Sequence, residues 1–416
     1  MATEGSQRIH VGSEIGRLKG VIVHEPGPEL LAVTPSNRAE YLYDDIIDLA
    51  AAREEHRRFT SVLRHFSEVL TVGELLEETL AVPEARDFLL TRSEEVTADR
   101  RLRAAIGECE PGELARRYIE GWRAKGGAFS EQLDVEGYVL PPLPNLFFTR
   151  DASVVVGDQV LISAMRFATR WPEEALMRTI FGFHPRLGQP SILYDGSDER
   201  RHDYIFEGGD IHPISPTAVV VGISERTSVT AIDQLTEDLF EDTPVTDVIV
   251  VVLPQPSTAI HLDMVWTQVD RGLFVAHPPM FKGPRRVPIL RRRKGHEGVI
   301  ECESIFAALR DAGSPMEAVW AGGGTRQGQE REQWASGCNF LAVGPGQVIS
   351  YARNEGTLRA LEGAGFRLVD GEDLLLGDDR VSDDERVAIT FSGSELVRGG
   401  GGPRCMTCPV WRAPLD

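Results

Sequence analysis

Short apolar stretches rich in β-branched residues recur along almost the whole chain, and their pattern predicts strands. Each stretch has the length of a strand and is bounded by glycine, proline, aspartate or asparagine. The stretches are KGVIVH, ASVVVG, QVLISA, AVVVGI, DVIVVVLP, GLFVAH, FLAVG, QVISYA and AITFSG. Helical periodicity lies between them, at EEALMRTIF, AIDQLTEDLF, ESIFAALRDAG and GTLRALEGAGFR. Because two or three strands often precede each helix, we expect a mixed α/β fold rather than a simple alternation.

One region departs from this pattern. Residues 46–122 are rich in charge and helix-periodic, with almost no strand signal, as in DLAAAREEHRRFTSVLRHF and GELARRYIEGW. We therefore predict a helical subdomain at 46–122, inserted into an α/β catalytic domain formed by residues 1–45 and 123–416. The basic stretch FKGPRRVPILRRRKG, at residues 281–295, contains two prolines and is expected to be an exposed loop.

Composition narrows the choice of partner and compartment. The chain has 416 residues, of which 42% are hydrophobic and 26% charged, as in soluble globular proteins. Its net charge of −20 argues against nucleic acid or an anionic membrane as partner and favours a cationic small molecule. No apolar run reaches the length of a membrane span, and the polar start lacks the apolar core of a signal peptide. Five cysteines, an odd number, indicate a reducing cytoplasm. Whether the chain forms a homo-oligomer is left open.

Two of the cysteines, Cys405 and Cys408, form a C-x-x-C behind a run of four glycines. Three interpretations are open: half of a zinc site, a redox pair, or one reactive thiol with a bystander. A structural zinc site needs further ligands, yet the other cysteines are scattered singly and no histidine lies nearby. A redox pair usually opens a helix after a strand, whereas this chain stops soon after Pro409. The single reactive thiol is therefore favoured, and its chemical partners must come from elsewhere.

Three further polar stretches interrupt apolar surroundings, namely PLPNLFFTRDASVVV, YIFEGGDIHPIS and AIHLDMVWTQVD. They contribute Asp151, Glu207, His261 and Asp263, and the last two are expected on one face of a strand. Each pattern is weak alone, because an aspartate before a strand is commonly a turn residue and a histidine in an apolar strand commonly belongs to the core. Together with Cys405 they supply a thiol, an imidazole and three carboxylates. This set suits thiolate attack on a carbon held between carboxylates.

The roles within that set follow from ordinary chemistry. His261 would activate Cys405 or carry protons, with Glu207 orienting its ring. Asp151 and Asp263 remain to bind something planar and positively charged. A guanidinium group fits best, because its forked donors match carboxylates bidentately.

With these motifs the chain resembles the arginine deiminases of the guanidine-modifying, pentein-fold superfamily. The resemblance begins at SEIGRLKGVIVHEPGPEL, passes through PNLFFTRD, FEGGD, GISERT, HLDMVWTQVD and EREQWASGCNFLAVGPGQVISYARNE, and ends at RCMTCP. It implies a five-bladed, pseudo-symmetric α/β propeller with an inserted helical subdomain, although no repeat is visible in the sequence. It also implies hydrolysis of L-arginine to L-citrulline and ammonia through a covalent thiouronium intermediate, without a metal or organic cofactor.

The resemblance assigns a role to each matching residue. Cys405 matches the nucleophile, His261 the general acid and base, and Glu207 its carboxylate partner. Asp151 and Asp263 match the pair that clamps the guanidinium group, whereas Cys408 matches no catalytic position. The residues that match positions holding the amino-acid end of the substrate are Asn145, Phe148, Arg170 and Arg226.

The chain also departs from the family pattern. The glycine-rich loop before the nucleophile usually carries a second arginine, where this chain has Gly400. Arg398 or Arg404 is the candidate to compensate for that missing cation. Trp171 and Pro172 follow Arg170, and Thr325 stands where an aspartate is frequent. The alternatives are therefore a hydrolase of a modified arginine or other guanidino compound, an amidinotransferase of the same superfamily, and a silent guanidine-binding protein.

Overall fold

A computed structural model describes residues 9–97, 102–123, 128–132, 137–198, 204–255 and 258–415. The first strands are β1 (Leu18–Val23), β2 (Glu68–Thr71), β3 (Trp122–Arg123), β4 (Tyr138–Leu140), β5 (Ser153–Val156), β6 (Gln159–Ile162), β7 (Ser191–Asp195), β8 (Ile211–Ser215), β9 (Ala218–Ile223) and β10 (Asp247–Val252). The later strands are β11 (Trp266–Asp270), β12 (Leu273–Ala276), β13 (Ile289–Arg293), β14 (Ile300–Cys302), β15 (Glu317–Trp320), β16 (Leu341–Gly344), β17 (Gln347–Tyr351), β18 (Arg367–Asp370), β19 (Val387–Phe391) and β20 (Cys408–Arg412).

Helices connect and cover these strands. They are α1 (Leu49–Phe66), α2 (Val72–Leu80), α3 (Pro83–Thr97), α4 (Leu102–Ile106), α5 (Pro111–Glu120), α6 (Ala128–Gln132), α7 (Thr149–Ala152), α8 (Trp171–Phe183), α9 (Val229–Asp242), α10 (Pro278–Phe281), α11 (Ile305–Asp311), α12 (Arg326–Trp334), α13 (Glu355–Gly363) and α14 (Gly371–Leu376). Short 3-10 helices lie at Pro28–Ala32, Ala168–Arg170, Pro185–Leu187, Gly208–Asp210, Leu262–Met264 and Leu396–Gly399. None of the helices in the described part of the chain is long and apolar enough to cross a membrane.

Five sheets share one three-stranded unit. In each unit the first strand is antiparallel to the second and the third is parallel to the second. The units are β5-β6-β7, β8-β9-β10, β11-β12-β15, β16-β17-β19 and β20-β1-β2. Strands β13 and β14 extend one sheet, β18 extends another, and β3 pairs with β4 separately. The fold is therefore α/β, as expected, and it contains a repeated unit that the sequence pattern does not reveal.

The apolar stretches of the sequence correspond closely to these elements. All nine predicted strands and all four predicted helices are confirmed as elements, and all but one lie within a residue or two of the predicted bounds. The exception is GTLRALEGAGFR, whose helix ends at Gly363, and Arg367 already begins β18. Their side chains are largely buried, and in β9 and β10 consecutive valines are enclosed on both faces. Such strands give continuous apolar runs, which is why they are easily recognised.

The predicted helical range, 46–122, contains α1 to α5 but also β2, which pairs in parallel with β1. The pattern missed β2 because it is short and half exposed, with the sequence EVLT. In the same range Glu55 on α1 accepts hydrogen bonds from the backbone N–H groups of Ser394 and Leu396, at 2.8 and 3.0 Å. Helix α1 therefore supports the segment that leads to Cys405. Residues 98–101 of this range, and the polar start at 1–8, lie outside the described residues.

The prediction of an exposed loop at 281–295 is wrong for its second half. Residues Ile289–Arg293 form β13, which pairs antiparallel with β10. Ile289 faces the core, and Arg291 is buried because its guanidinium group bonds to the Asp247 carboxylate at 2.6 Å. The run of arginines hid the strand, since a buried ion pair cannot be recognised from one partner alone.

Candidate active site

The chemistry-bearing residues lie in turns that precede the first strand of a unit. Asp151 lies in the short helix α7 just before β5, and Glu207 precedes the 3-10 helix that leads into β8. His261 and Asp263 precede β11, and Cys405 lies in a turn before β20. All five are buried. Equivalent positions in four units thus bring one thiol, one imidazole and three carboxylates together.

The expectation that His261 and Asp263 share one face of a strand is wrong, because they lie in and beside the 3-10 helix Leu262–Met264. Asp210 holds this turn in place, since its Oδ1 accepts from the Leu262 N–H group at 2.7 Å. Burial raises the pKa of Asp210 to about 6, although neighbouring donors and His261 oppose the shift. The His261 ring lies so close to Gly209 that a Cβ there would approach it to 2.7 Å. Gly209, the second glycine of FEGGD, is therefore required for the ring to fit.

The imidazole side of the site is dominated by carboxylates. His261 Nε2 lies 2.9 Å from Glu207 Oε2, and its Nδ1 lies 3.8 Å from Asp151 Oδ1. Burial disfavours the charged ring, but Asp151, Glu207 and Asp210 outweigh it and raise the pKa of His261 to about 9. His261 is thus an imidazolium at neutral pH and can donate a proton. Burial also acts against the Glu207 charge, yet nearby cations hold the pKa of that carboxyl well below its usual range.

Two buried arginines complete the imidazole side. Arg226 Nη1 donates to Glu207 Oε2 at 3.2 Å, and its guanidinium carbon lies 4.7 Å from the centre of the Phe167 ring. Arg170 Nη1 donates to Asp151 Oδ2 at 2.7 Å, and Arg170 Nη2 donates to Glu173 Oε2 at 2.7 Å. Arg170 is therefore paired with Asp151, one of the two carboxylates predicted to bind a guanidinium group, rather than presenting a free cation at the amino-acid end.

The thiol side is different. Cys405 Sγ lies 3.5 Å from Asp263 Oδ2 and accepts a hydrogen bond from the side-chain amide of Asn339 at 3.0 Å. Burial, with the charges of Asp263 and Asp151, raises the pKa of the Cys405 thiol well above its ordinary value. The thiol is therefore neutral when no cationic ligand is bound beside it. Its carboxylate neighbours favour the imidazolium of His261 and disfavour a thiolate.

Neither candidate for the missing cation is free to replace it. Arg404 is fully buried, bonding to Asp263 Oδ2 at 2.9 Å and to Glu14 Oε1 at 3.0 Å. Arg398 is partly exposed and pairs with Asp45 at 2.6 Å, outside the cavity. Compensation for Gly400 by either side chain would break these pairs. Arg404 instead fixes one oxygen of Asp263.

Two carboxylate oxygens of the predicted guanidinium clamp remain without a hydrogen-bond partner among the described residues. These are Asp151 Oδ1 and Asp263 Oδ1, both buried. An unpaired carboxylate oxygen is costly in a buried site, so each is a vacant acceptor for a ligand with N–H groups. Each of the two carboxylates that the sequence analysis predicted to bind a guanidinium group therefore keeps one such oxygen.

A small cavity connects these groups to a wider outer chamber. The inner cavity, of about 30 Å³, is lined by Cys405, His261, Asp151 and by all four residues predicted for the amino-acid end. Those four are Asn145, Phe148, Arg170 and Arg226. The outer chamber, of about 610 Å³, shares Arg226, Gly399 and Gly400 with it. Gly400 has a φ of +88°, and a Cβ added there would meet no atom within 4 Å beyond its chain neighbours, so it leaves the boundary between the chambers open.

Asp151, Glu207 and His261 bring ligand atoms close enough together to hold a metal ion. The chemistry of the set does not favour one. His261 is protonated at neutral pH, and a metal ligand must be a neutral imidazole. Arg170 and Arg226 already neutralise the two carboxylates. The cluster fits a proton donor and a cation clamp better than a metal centre.

Cys408 is separated from this chemistry. Its sulfur lies 3.6 Å from the Ser153 hydroxyl, within the core that β20 and β5 share. All five cysteines are free thiols. The C-x-x-C is therefore not a disulfide, and its two sulfurs face different surroundings.

Sequence reasoning missed four residues that shape the site: Glu14, Glu173, Asn339 and Arg404 as a partner of Asp263. Asn339 carried a recognisable signal, because it directly precedes the predicted strand FLAVG, as the other site residues precede theirs. Arg404 forms buried ion pairs with Glu14 and Asp263, which are distant in the chain, whereas Glu173 pairs locally with Arg170, three residues before it.

Comparison of sequences relates this chain to known proteins. A family model described as arginine deiminase matches residues 119–412. An arginine deiminase of Limosilactobacillus fermentum is 34% identical, covering 98% of this chain and 99% of its own length. An arginine deiminase of Rhodococcus erythropolis is 33% identical, with 100% of both chains covered.

Solved structures show the same fold at low identity. An amidinotransferase from Microseira wollei in the saxitoxin biosynthetic pathway superposes with a TM-score of 0.57 and 13% identity, covering 98% of each chain. Unliganded AgrE superposes with a TM-score of 0.54 and 14% identity, over 96% of this chain and 40% of AgrE. These structural likenesses show an α/β fold shared with pentein proteins. The family is established by the family model and by the two arginine deiminases that are similar in sequence. The chain belongs to the arginine deiminase family.

Proposed function

We propose that this protein is a hydrolase of C–N bonds in amidines that converts L-arginine to L-citrulline and ammonia. One observation carries the proposal: a thiol and an imidazolium open into a cavity beside two carboxylates that each keep a vacant oxygen. That arrangement fits a planar cation whose central carbon is to be attacked. Membership of the arginine deiminase family supports the same reaction.

Substrate binding would activate the nucleophile. The guanidinium group lies between Asp151 and Asp263 and bonds to their vacant oxygens. Its positive charge offsets the carboxylates that disfavour the thiolate, so the Cys405 proton leaves to solvent. Phe148 and Asn145 line the wall of the cavity, and Arg226 at its outer boundary binds the α-carboxylate. Arg170 keeps its bond to Asp151 Oδ2 and so holds that carboxylate in place while Asp151 Oδ1 receives the substrate.

The first half-reaction releases ammonia. The electron pair of the Cys405 thiolate forms a bond to the guanidinium carbon and gives a neutral tetrahedral adduct. His261, as imidazolium, protonates one amino nitrogen of the adduct. The carbon–nitrogen bond breaks, ammonia leaves, and a positively charged S-alkylthiouronium remains on Cys405. Glu207 positions the ring and supports its charge before the proton is transferred.

The second half-reaction restores the thiol. Neutral His261 takes a proton from water, and the hydroxide bonds to the thiouronium carbon. The carbon–sulfur bond then breaks and its electron pair goes to the sulfur. The proton that the product loses to become a neutral ureido group passes to the Cys405 thiolate and restores the thiol. The reaction consumes one water for each ammonia released.

We also propose that the five three-stranded units form the five blades of a pseudo-symmetric propeller, with the helical range 46–122 as an insert. Contacts between successive units support a ring, since β20 packs on β5, the turns before β8 and β11 meet, β11 packs on β16, and β16 packs on β1. The chemistry-bearing turns then surround one central site. A small guanidino compound is the proposed partner, and free thiols suit a cytoplasmic location.

A panel of guanidino compounds tests the activity. Purified protein is incubated with L-arginine, methylated arginines, agmatine and Nα-acylated arginines, and ammonia and ureido products are both measured. We expect equal amounts of ammonia and citrulline from L-arginine. Transfer of the amidine to an added amine, without ammonia, would instead identify an amidinotransferase. No turnover of any compound would overturn the proposal.

A modified arginine is the second candidate, and the outer chamber favours it. The chamber is lined by Tyr43, Phe167 and Trp334, and Gly400 leaves its connection to the inner cavity open. An arginine with an apolar substituent would place that substituent there. In the panel, a higher kcat/KM for an Nα-acylated arginine than for L-arginine would select this candidate.

A further inference from the structure

Four of the five turns that open a unit carry residues assigned above to the reaction, and the fifth carries Asn339. The turn at 335–338 precedes β16, and Asn339 lies between them. Its side chain is fully buried, with 0% of its surface exposed. By position it is the counterpart of Asp151 and of the residues before β8, β11 and β20. No step of the mechanism above uses it.

The contacts of Asn339 determine which way its amide points. Its Oδ1 accepts from the backbone N–H groups of Arg404 and Cys405, at 2.9 and 3.2 Å. Backbone nitrogens only donate, so the atom that faces them is the amide oxygen. The amide nitrogen therefore faces the opposite side, where Cys405 Sγ lies at 3.0 Å and the Asp263 carbonyl oxygen at 3.3 Å. Both N–H bonds have an acceptor.

The two ends of this amide act on the nucleophile differently. The oxygen fixes the backbone of the turn and so the place of the sulfur. The N–H group donates to the sulfur itself, and such a bond strengthens when the sulfur gains a negative charge. The backbone of Gly402 also contributes a hydrogen bond that lowers the pKa of the thiol, against burial and the carboxylates. A neutral donor is suited to this place, because it stabilises the anion without repelling the cationic substrate.

We propose that Asn339 is a catalytic residue whose amide N–H group holds the Cys405 sulfur by a hydrogen bond while it becomes an anion. The proposal rests on Cys405 being the nucleophile of the proposed function. Asn339 would act twice, when the thiolate forms before attack and when it leaves the thiouronium carbon. The imidazolium of His261 serves the departing nitrogen, and Asn339 serves the sulfur.

Other groups also set the charge of this sulfur, and the test must hold them constant. The titratable and charged side chains that face Cys405 or its cavity are Asp151, Arg170, Arg226, His261, Asp263, Tyr351 and Arg404. A change at position 339 that keeps its shape leaves them in place. Asn339→Asp keeps the shape of the side chain and an oxygen for the two backbone donors, but it replaces the N–H group with a second oxygen that carries a negative charge. Asn339→Ala removes the donor without adding a charge.

The experiment measures the rate at which iodoacetamide alkylates Cys405 as a function of pH, using the full chain and mass spectrometry to separate Cys405 from Cys408. It compares wild type, Asn339→Asp and Asn339→Ala, and kcat/KM for L-arginine is measured on the same preparations. A donor to a charged group is worth about one to two pH units in the thiol midpoint. We expect a rise of that size in both variants, larger for aspartate, and at least about a tenfold lower kcat/KM at neutral pH.

Asn354→Asp is the matched control. Asn354 is also fully buried, and its amide donates to the Ala335 carbonyl at 3.0 Å rather than to a sulfur. We expect the alkylation midpoint of this variant to equal that of wild type. An unchanged midpoint in Asn339→Ala, with wild type active on L-arginine, would overturn the role of Asn339. Wild type without activity on L-arginine would instead contradict the proposed function, whatever the alkylation midpoint.

Discussion

The same carboxylates surround the imidazole side and the thiol side of the cavity. They raise the pKa on both sides, with opposite consequences for reactivity. The carboxylates raise the pKa of His261 to about 9, against burial, and so supply a proton donor. Burial and the same carboxylates raise the pKa of Cys405 as well, and so keep the nucleophile in its protonated, unreactive form. The acid is therefore ready before the substrate arrives and the thiolate is not. In the proposed mechanism the guanidinium cation that Asp151 and Asp263 bind completes the set, which ties reactivity to binding.

The largest expected effect comes from removing the thiol. Cys405→Ser should lower turnover by at least about 10⁴-fold, because a serine hydroxyl at this place would not ionise. Cys408→Ser should keep most of the activity, since Cys408 lies in the core beside Ser153. Steady-state citrulline formation measures both. Equal losses in the two variants, or zinc bound to the purified protein, would restore the C-x-x-C as a functional unit.

The next effect tests the imidazole side. Glu207→Gln should lower kcat by about 10²–10⁴-fold, the range attributed to acid–base assistance. The imidazolium is required, so the rate should fall as pH rises through about 9 in wild type. Without the Glu207 charge the pKa of His261 falls, and this alkaline limb should move to lower pH. A near-normal rate with an unmoved limb would show that Glu207 does not set the charge of His261.

The smallest expected effect concerns Gly400 on the boundary of the cavity. Gly400→Arg would add a cation near the thiol side and narrow the opening to the outer chamber. If the natural substrate is a modified arginine, the variant should gain kcat/KM for L-arginine and lose it for the Nα-acylated compound. Because Gly400 has a φ of +88°, part of the gain will be offset by backbone strain. If wild type already has the kcat/KM of an ordinary deiminase for L-arginine and the variant gains nothing, Gly400 has no effect on the choice of substrate.

Much of the fold and most of the site could be predicted from the sequence, for a physical reason. Strands buried on both faces give continuous apolar runs, and the polar turns between them stand out against that background. Asp151, Glu207, His261 and Cys405 were found in this way, and the structure brings them together. Ordinary chemistry suggested their roles, the family resemblance assigned one role to each residue, and those roles remain proposals.

The remainder depends on tertiary contacts. The repeated unit was hidden because strands and helices of different length are inserted in each copy, such as β13 and β14 in one sheet. The pairing of Arg170 with Asp151 and of Arg404 with Asp263 joins residues that are distant in the chain. Asn339 was missed because an asparagine before an apolar strand is a common boundary residue. Its place among the site residues can be recognised only when the five turns that open the units are compared in the structure.

The most direct test of substrate-linked activation is the titration of the Cys405 thiol with and without a bound cation. The ultraviolet absorbance of the thiolate is followed against pH as the difference between wild type and Cys405→Ser. Methylguanidine at saturating concentration serves as the cation, and its binding is confirmed by calorimetry on Cys405→Ser. We predict that methylguanidine lowers the thiol midpoint by about one pH unit or more. Saturating methylguanidine that leaves the midpoint unchanged would contradict activation of the nucleophile by the substrate.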